Sequence, residues 1–118
     1  MAAGALKLET EARDGVLLIH VSGPLDSANY EQFKQYMDPL VKQPHVRIVL
    51  DCEFLTYVNS RAWTLLMHYH RSAVLGLSNF QLAAFGTRPL KGIRLLGLGR
   101  YLKWSPTVDK AVQTAVAI

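Results

Sequence analysis

Cysteine is nearly missing from this chain. Cys52 stands alone, which excludes an internal disulfide and any zinc site built from several cysteines. It ends an apolar segment and reads as a small core residue. One free thiol and no secretory apolar segment fit a reducing, cytoplasmic setting. Long apolar runs are missing too: none approaches the ~20 residues that cross a bilayer, so no membrane insertion is expected. Acids thin out along the chain. From Arg61 onward only Asp109 is acidic, against Arg61, Arg71, Arg88, Lys91, Arg94, Arg100, Lys103 and Lys110. Overall 13 Lys and Arg face 9 Asp and Glu, a net +4. Such a surplus attracts acidic partners in general. No basic run is interleaved with aromatics, however, so direct nucleic-acid binding is not expected and the surplus reads as solvated surface. A phosphate-cradling glycine loop is also absent: Gly97-Leu98-Gly99 lacks the GxGxxG spacing and does not follow a strand.

What is present is ample apolar material. Half of the 118 residues are hydrophobic, enough for a core without staples, and the length suits a single domain over 1–118. Met1 to Ala5 reads as a loose terminus. Lys7 to Ala12 reads as an edge strand. Asp14-Gly15 is the pair of a tight type I′ hairpin turn. Val16 to Ser22 is apolar on nearly both faces, as at the centre of a covered sheet. His20 sits inside that run as a packed or edge-facing residue. Gly23-Pro24-Leu25-Asp26 is expected to break the strand, with Ser27 capping a helix over Ala28–Val41. Tyr30, Phe33, Met37, Leu40 and Val41 share one face of it.

Arg47 to Cys52 reads as a buried strand. A five- to six-residue loop then leads to a helix running from Ser60 to about Val74. Its predicted buried stripe is Ala62, Trp63, Leu66, Met67, His70 and Val74; Arg61, Thr64, His68 and Arg71 oppose it. His68 and His70 point about 200° apart on a helix, so they do not chelate together and no metal is expected. Gly76 reads as the C-cap. Asn79 to Phe85 is the next strand. Thr87 and Pro89 open a short helix that turns Leu90, Ile93, Leu96 and Leu98 inward. Tyr101–Trp104 reads as a short strand, and Ser105-Pro106 starts a last helix to Ala117. The order is ββαβαβαβα. It implies an α/β fold with one mixed, mostly parallel sheet of about five strands and about four helices.

The chemistry concentrates at Asn59-Ser60-Arg61. There a serine sits between a strand and the first turn of a helix, where unpaired N–H groups and the helix dipole favour negative charge. The placement is that of a nucleophile elbow, but V-N-S-R-A lacks both glycines of G-x-S-x-G. No acid–histidine pair is recognisable by spacing either. Asp51 and Glu53 are close in sequence, but Asp51 closes a buried strand. Neither an enzyme nor a cofactor is expected.

Three segments carry a family resemblance. Val21-Ser22-Gly23-Pro24-Leu25-Asp26 is similar to φ-x-G-x-L-D. Ile48 to Asp51 with Phe54 to Ala62 is similar to φ-φ-L-D-x-x-x-φ-x-φ-φ-D-S-x-G. Leu95 to Leu102, followed by the terminal helix, is similar to L-x-x-x-G-L. Together they resemble the STAS domain, the sulfate transporter and anti-sigma factor antagonist fold, over the whole chain. The first two motifs are specific when they occur together at this spacing.

The resemblance implies a non-enzymatic protein-binding module acting in a partner-switching pathway. Ser60 stands at the phosphoacceptor position. The implied partner is a serine-kinase anti-sigma factor, bound by the unphosphorylated form and released by the phosphorylated one. Asp26 stands beside that serine in the family, and Asp26, Ser27, Asn59, Ser60, Arg61 and Thr64 form the expected partner-binding face. A monomer or weak dimer is expected. The chain departs from D-S-x-G at Asn59 and Ala62, and carries Arg61 and Trp63 beside them. Asn59 keeps the capping role but removes a charge, and Arg61 adds one of opposite sign. The alternative is a divergent STAS domain without a phospho-switch, serving as a scaffold, a transporter accessory or a small-anion sensor.

Overall fold

In the structure, a computed structural model describing residues 5–100 and 102–117, the sheet starts at the Asp14-Gly15 turn. Both residues have positive φ, 54° and 79°, as a type I′ turn requires. The turn joins β1 (Lys7–Arg13) to β2 (Val16–Leu25) in antiparallel register, with Arg13 opposite Val16. The expectation of a loose terminus concerns Met1 to Ala5, of which only Ala5 lies within the described residues.

β2 does not stop at Ser22. It changes partner between His20 and Gly23 and runs on to Leu25 through a bulge between Gly23 and Pro24. Its first half pairs with β3 (Arg47–Asp51), and its last residues pair with β4 (Leu55–Val58), both parallel. Bulges tolerate glycine and proline inside a strand, so the residues read as a break are a junction. β4 replaces the expected loop. Its four residues show the pattern buried, exposed, exposed, buried, which gives no alternation to read. The sheet order is β1-β2-β3-β5-β6, with β4 attached to β2. β5 is Asn79–Ala83 and β6 is Trp104–Ser105, both parallel to their neighbours. The last strand therefore lies later than Tyr101–Trp104, and Tyr101 itself is outside the described residues. Among the described residues this makes six strands, one more than the periodicity predicts.

The helices are α1 (Tyr30–Val41), α2 (Ser60–Leu75), α3 (Thr87–Leu95) and α4 (Val108–Val116). Two expected caps are displaced. The N-cap of α3 is Gly86, not Thr87. That of α4 is Thr107, whose side chain accepts from the Lys110 N–H at 3.1 Å, so Ser105 is left in β6. β2, β3 and β5 are buried on both faces, as strands between two helical layers are. Ile19, Ile48, Leu50, Phe80 and Leu82 pack with α1, α2 and Ile93 of α3. Val16, Leu18, Val49 and Ala83 pack on the opposite side with Ala111, Val112 and Ala115 of α4.

α2 is rotated relative to its predicted stripe. Ala62, Trp63 and Leu66 are buried, but so are Leu65, Tyr69 and Ala73, while Val74 is 59% exposed. Tyr69 is the reason this phase suits a core: its ring packs against Phe80, and its hydroxyl escapes to donate to Asp38 Oδ1 on α1 at 2.6 Å. Lys34 donates to the other oxygen at 2.7 Å. Lys34 first, then Tyr69, hold the Asp38 carboxyl below the usual carboxylate range. Cys52 is buried, and burial pushes its thiol far up.

Candidate functional site

The site lies at the C-terminal ends of β2 and β4, where two segments far apart in sequence are tied together. The Asn59 N–H donates to the Leu25 carbonyl at 2.9 Å. That bond, one step past the Leu25–Val58 pair, brings the segments that carry Asp26 and Ser60 together at this end of the sheet. Ser60 is the first residue of α2 and is exposed. The cap is Asn59, whose Oδ1 accepts from the Ala62 N–H at 2.8 Å while its carbonyl accepts from Trp63 at 3.0 Å. The Ser60 hydroxyl is therefore not needed for the cap. Asn59 and Ala62 N–H are both satisfied in this way; those of Ser60 and Arg61 find no acceptor among the described residues. The pole is thus a small electropositive turn with a hydroxyl at its centre.

Asp26 is half-buried, and its Oδ1 accepts from the N–H groups of Ala28 and Asn29 at 3.0 and 3.1 Å. This corrects the expectation for Ser27. Ser27 does not cap α1: the helix starts at Tyr30, and the Asp26 carboxylate closes the turn ahead of it. A carboxylate accepts two N–H bonds here with one oxygen, which a serine hydroxyl two residues from the helix cannot match. Asn29 locks the turn by donating from Nδ2 to the Pro24 carbonyl at 2.8 Å. Ser27 remains exposed on the same face.

Arg61 is exposed, with its guanidinium carbon 3.8 Å from the centroid of the Tyr30 ring, a cation–π distance. It is thereby a fixed cation beside Ser60. Thr64, one turn on, donates its hydroxyl to the Ser60 carbonyl at 3.1 Å. All six residues expected at the face are thus near one helix terminus. Sequence reasoning missed its aromatic border. Tyr30 was read as core alone, yet its ring carries Arg61. Phe54 is 65% exposed, and Tyr57, half-exposed on β4, lies 5.5 Å from the Arg88 guanidinium. Reading Leu55–Val58 as a loop hid that border. Trp63 is buried at 3% exposure against Gly92 of α3, where an added Cβ would stand 3.1 Å from the indole nitrogen. It belongs to the support of the turn and not to its surface.

Among the described residues no hydrogen bond joins Ser60 to a histidine. His20 is bound to Asp51 and Glu11, and His70 to the Phe80 carbonyl. No described group of three His, Cys, Asp or Glu could hold a metal ion. No helix among the described residues is long and apolar enough to cross a membrane.

Several solved structures share the fold. An anti-sigma factor antagonist from Mycobacterium paratuberculosis superimposes with a TM-score of 0.83 at 22% identity, covering 94% of each chain. The anti-sigma factor antagonist SpoIIAA in its unphosphorylated form gives 0.74 at 22% identity, over 97% of this chain and 98% of that one. The phosphorylated form of this Bacillus cell fate determinant gives 0.66 at 22% identity, over 93% and 98%. An anti-sigma-factor antagonist (STAS) domain protein from Planctomyces limnophilus gives 0.78 at 14% identity, over 92% and 96%. No curated protein matches by sequence. The STAS domain family model matches residues 7–111. With that match across most of the chain, and a mixed six-stranded sheet with helices on both faces like those relatives, the chain belongs to the STAS domain family.

Proposed function

We propose that the chain is a cytoplasmic, non-enzymatic, single-domain binding module of anti-sigma antagonist type, switched by phosphorylation of Ser60. The unphosphorylated face of Asp26, Ser27, Asn59, Ser60, Arg61 and Thr64 binds a serine-kinase anti-sigma factor. Phosphate on Ser60 releases it. One observation carries this reading. Ser60 is exposed at the first position of α2 while Asn59 makes the cap, so its hydroxyl can be modified without undoing the helix. A phosphate there adds about −1.5 to −2 charge. An acidic or apolar partner surface repels that charge or must desolvate it. SpoIIAA, known in both phosphorylated and unphosphorylated forms, lends support to a switch at this family's fold.

The experiment is incubation of the purified chain with its cognate kinase and ATP, followed by mass spectrometry and a binding assay. A single phosphate on Ser60, absent in Ser60→Ala, and loss of binding on modification are expected. An unmodified Ser60 sinks the switch.

Arg61 favours a second reading. Stacked on Tyr30, it is a permanent cation next to a serine whose preceding residue is the uncharged Asn59. That arrangement suits an acidic group presented by a scaffold or transporter partner, with no phosphate involved. In that case Arg61→Gln weakens binding strongly, and Ser60→Ala leaves it intact.

A further inference from the structure

At the other end of α2 the molecule has a second concave surface. Ser60 and Val74 are 14 residues apart, about 21 Å at the helical rise, so this cleft is well separated from the phosphoacceptor turn. It opens where β3 and β5 begin and has a volume of about 490 Å³, within the roughly 300–1,000 Å³ of small-molecule sites. Its charged lining is of one sign. Arg47 and Lys103 contribute, the imidazoles of His45 and His70 stand beside them, and no carboxylate of the described residues lines it. The remaining wall is largely apolar, from Val74, Leu77 and Phe80.

Two further features point the same way. His70 Nδ1 lies 3.4 Å from the Phe80 carbonyl. A carbonyl only accepts, so this contact makes Nδ1 the donor and leaves Nε2 for other partners. His45 and Leu77, on the rim, both hold left-handed backbone, with φ of 56° and 58°. Leu77 closes the end of α2, where the Ser78 N–H returns to the Ala73 carbonyl at 2.8 Å; the strain at His45 is of the kind that gathers at binding sites. Leu77 is also 78% exposed, an apolar side chain left in water at the mouth of a cationic cleft.

We propose that this cleft binds a small amphipathic anion: a carboxylate or phosphate group on a compact apolar body. The anionic group sits among Arg47, Lys103 and the imidazoles, and the apolar part lies against Phe80, Val74 and Leu77. Nothing in the phosphoacceptor face takes part, so the cleft stands whether or not Ser60 is a switch. The carrier of the anionic group is either a soluble metabolite or a lipid headgroup.

The test uses the full chain labelled for amide NMR and titrated with phenyl phosphate, with inorganic phosphate and phosphatidylglycerol vesicles as parallel arms. Saturable shifts confined to residues around 45–47, 77–80 and 103 are expected, with inorganic phosphate weaker because it lacks the apolar body. Lys103→Gln and Arg47→Gln should each weaken phenyl phosphate by about tenfold, the usual effect of removing a charge-assisted hydrogen bond. Lys103 is exposed, so its substitution keeps the fold. Vesicle co-sedimentation that Lys103→Gln abolishes, without binding of phenyl phosphate, supports the cleft with a lipid headgroup as its ligand. Binding to neither probe, shifts scattered over the surface, or affinities unchanged in both variants overturn the proposal.

Discussion

His20 on β2 has a carboxylate at each ring nitrogen. Asp51 Oδ2 is 2.7 Å from Nδ1, and Glu11 Oε1 is 3.1 Å from Nε2. Arg13 also faces the cluster, ion-paired to Glu11 and to Asp109 of α4. Burial is the largest influence on the imidazole and pulls it down; the hydrogen bonds and charges of Asp51 and Glu11 together outweigh it and leave it raised. Both nitrogens must donate to satisfy both acids, which only the protonated ring does. A group raised on folding stabilises fully below its unfolded value and loses that contribution as pH rises through its folded one. The melting temperature should therefore fall as pH climbs above about 6.5, and His20→Gln should flatten that slope; an unchanged slope in the variant assigns the pH dependence elsewhere. None of this was legible in the sequence. His20, Asp51 and Glu11 lie on three strands, and only strand register makes them neighbours. Asn59, Ser60 and Arg61 were legible because a cap, a helix start and their apolar flanks are local signals. Tyr30 beneath Arg61 was not, because an aromatic on an apolar stripe reads as core whether or not its other face carries a cation.

Among the elements, the junction in β2 determines the site. Strand β2 leaves β3 after His20, and from Gly23 its last residues pair with β4 across a bulge, carrying Leu25 to the Asn59 N–H. Gly23 makes this possible. Its φ is +95°, its N–H donates to the Phe54 carbonyl at 3.0 Å, and a Cβ at that position would run into the Ala5 carbonyl oxygen. Gly23→Ala thus combines left-handed strain of about 1–2 kcal/mol with a backbone clash. Denaturant titration should show a loss of at least about 2 kcal/mol, and amide exchange near Leu25 and Asn59 should accelerate. A loss within about 0.5 kcal/mol, typical of an unremarkable surface position, would mean that the junction relaxes freely. The long elements were readable from periodicity: β2, β3, β5 and α2 all occur near their predicted places. β4 was missed and β6 was expected a few residues early, at Tyr101–Trp104, because strands of four and two residues depend on partners and not on their own pattern.

At the scale of the whole molecule, the proposed switch would need modification at one pole to alter binding without altering structure. The net charge is +4, so a phosphate of about −1.5 to −2 leaves the chain cationic and changes the field chiefly around Ser60. That residue lies at the positive end of α2, outside both apolar layers. Anionic charge at a helix N-terminus is favourable by about 0.3–1 kcal/mol, whereas loss of an Asn cap costs about 1 kcal/mol. Ser60→Glu and Asn59→Ala should consequently separate the two properties. Ser60→Glu should keep or slightly raise stability in a urea titration while losing the partner that wild type binds. Asn59→Ala should lower stability by about 1 kcal/mol, because the Ala62 N–H loses its acceptor at 2.8 Å. Its remaining folded fraction should keep more of the partner binding than Ser60→Glu does, since only one contact of the face is lost and the Ser60 hydroxyl and Asp26 stay in place. If Ser60→Glu destabilised the chain as much as Asn59→Ala, its loss of binding would be a loss of fold. The phosphoacceptor turn would then be a structural hinge and not a surface switch.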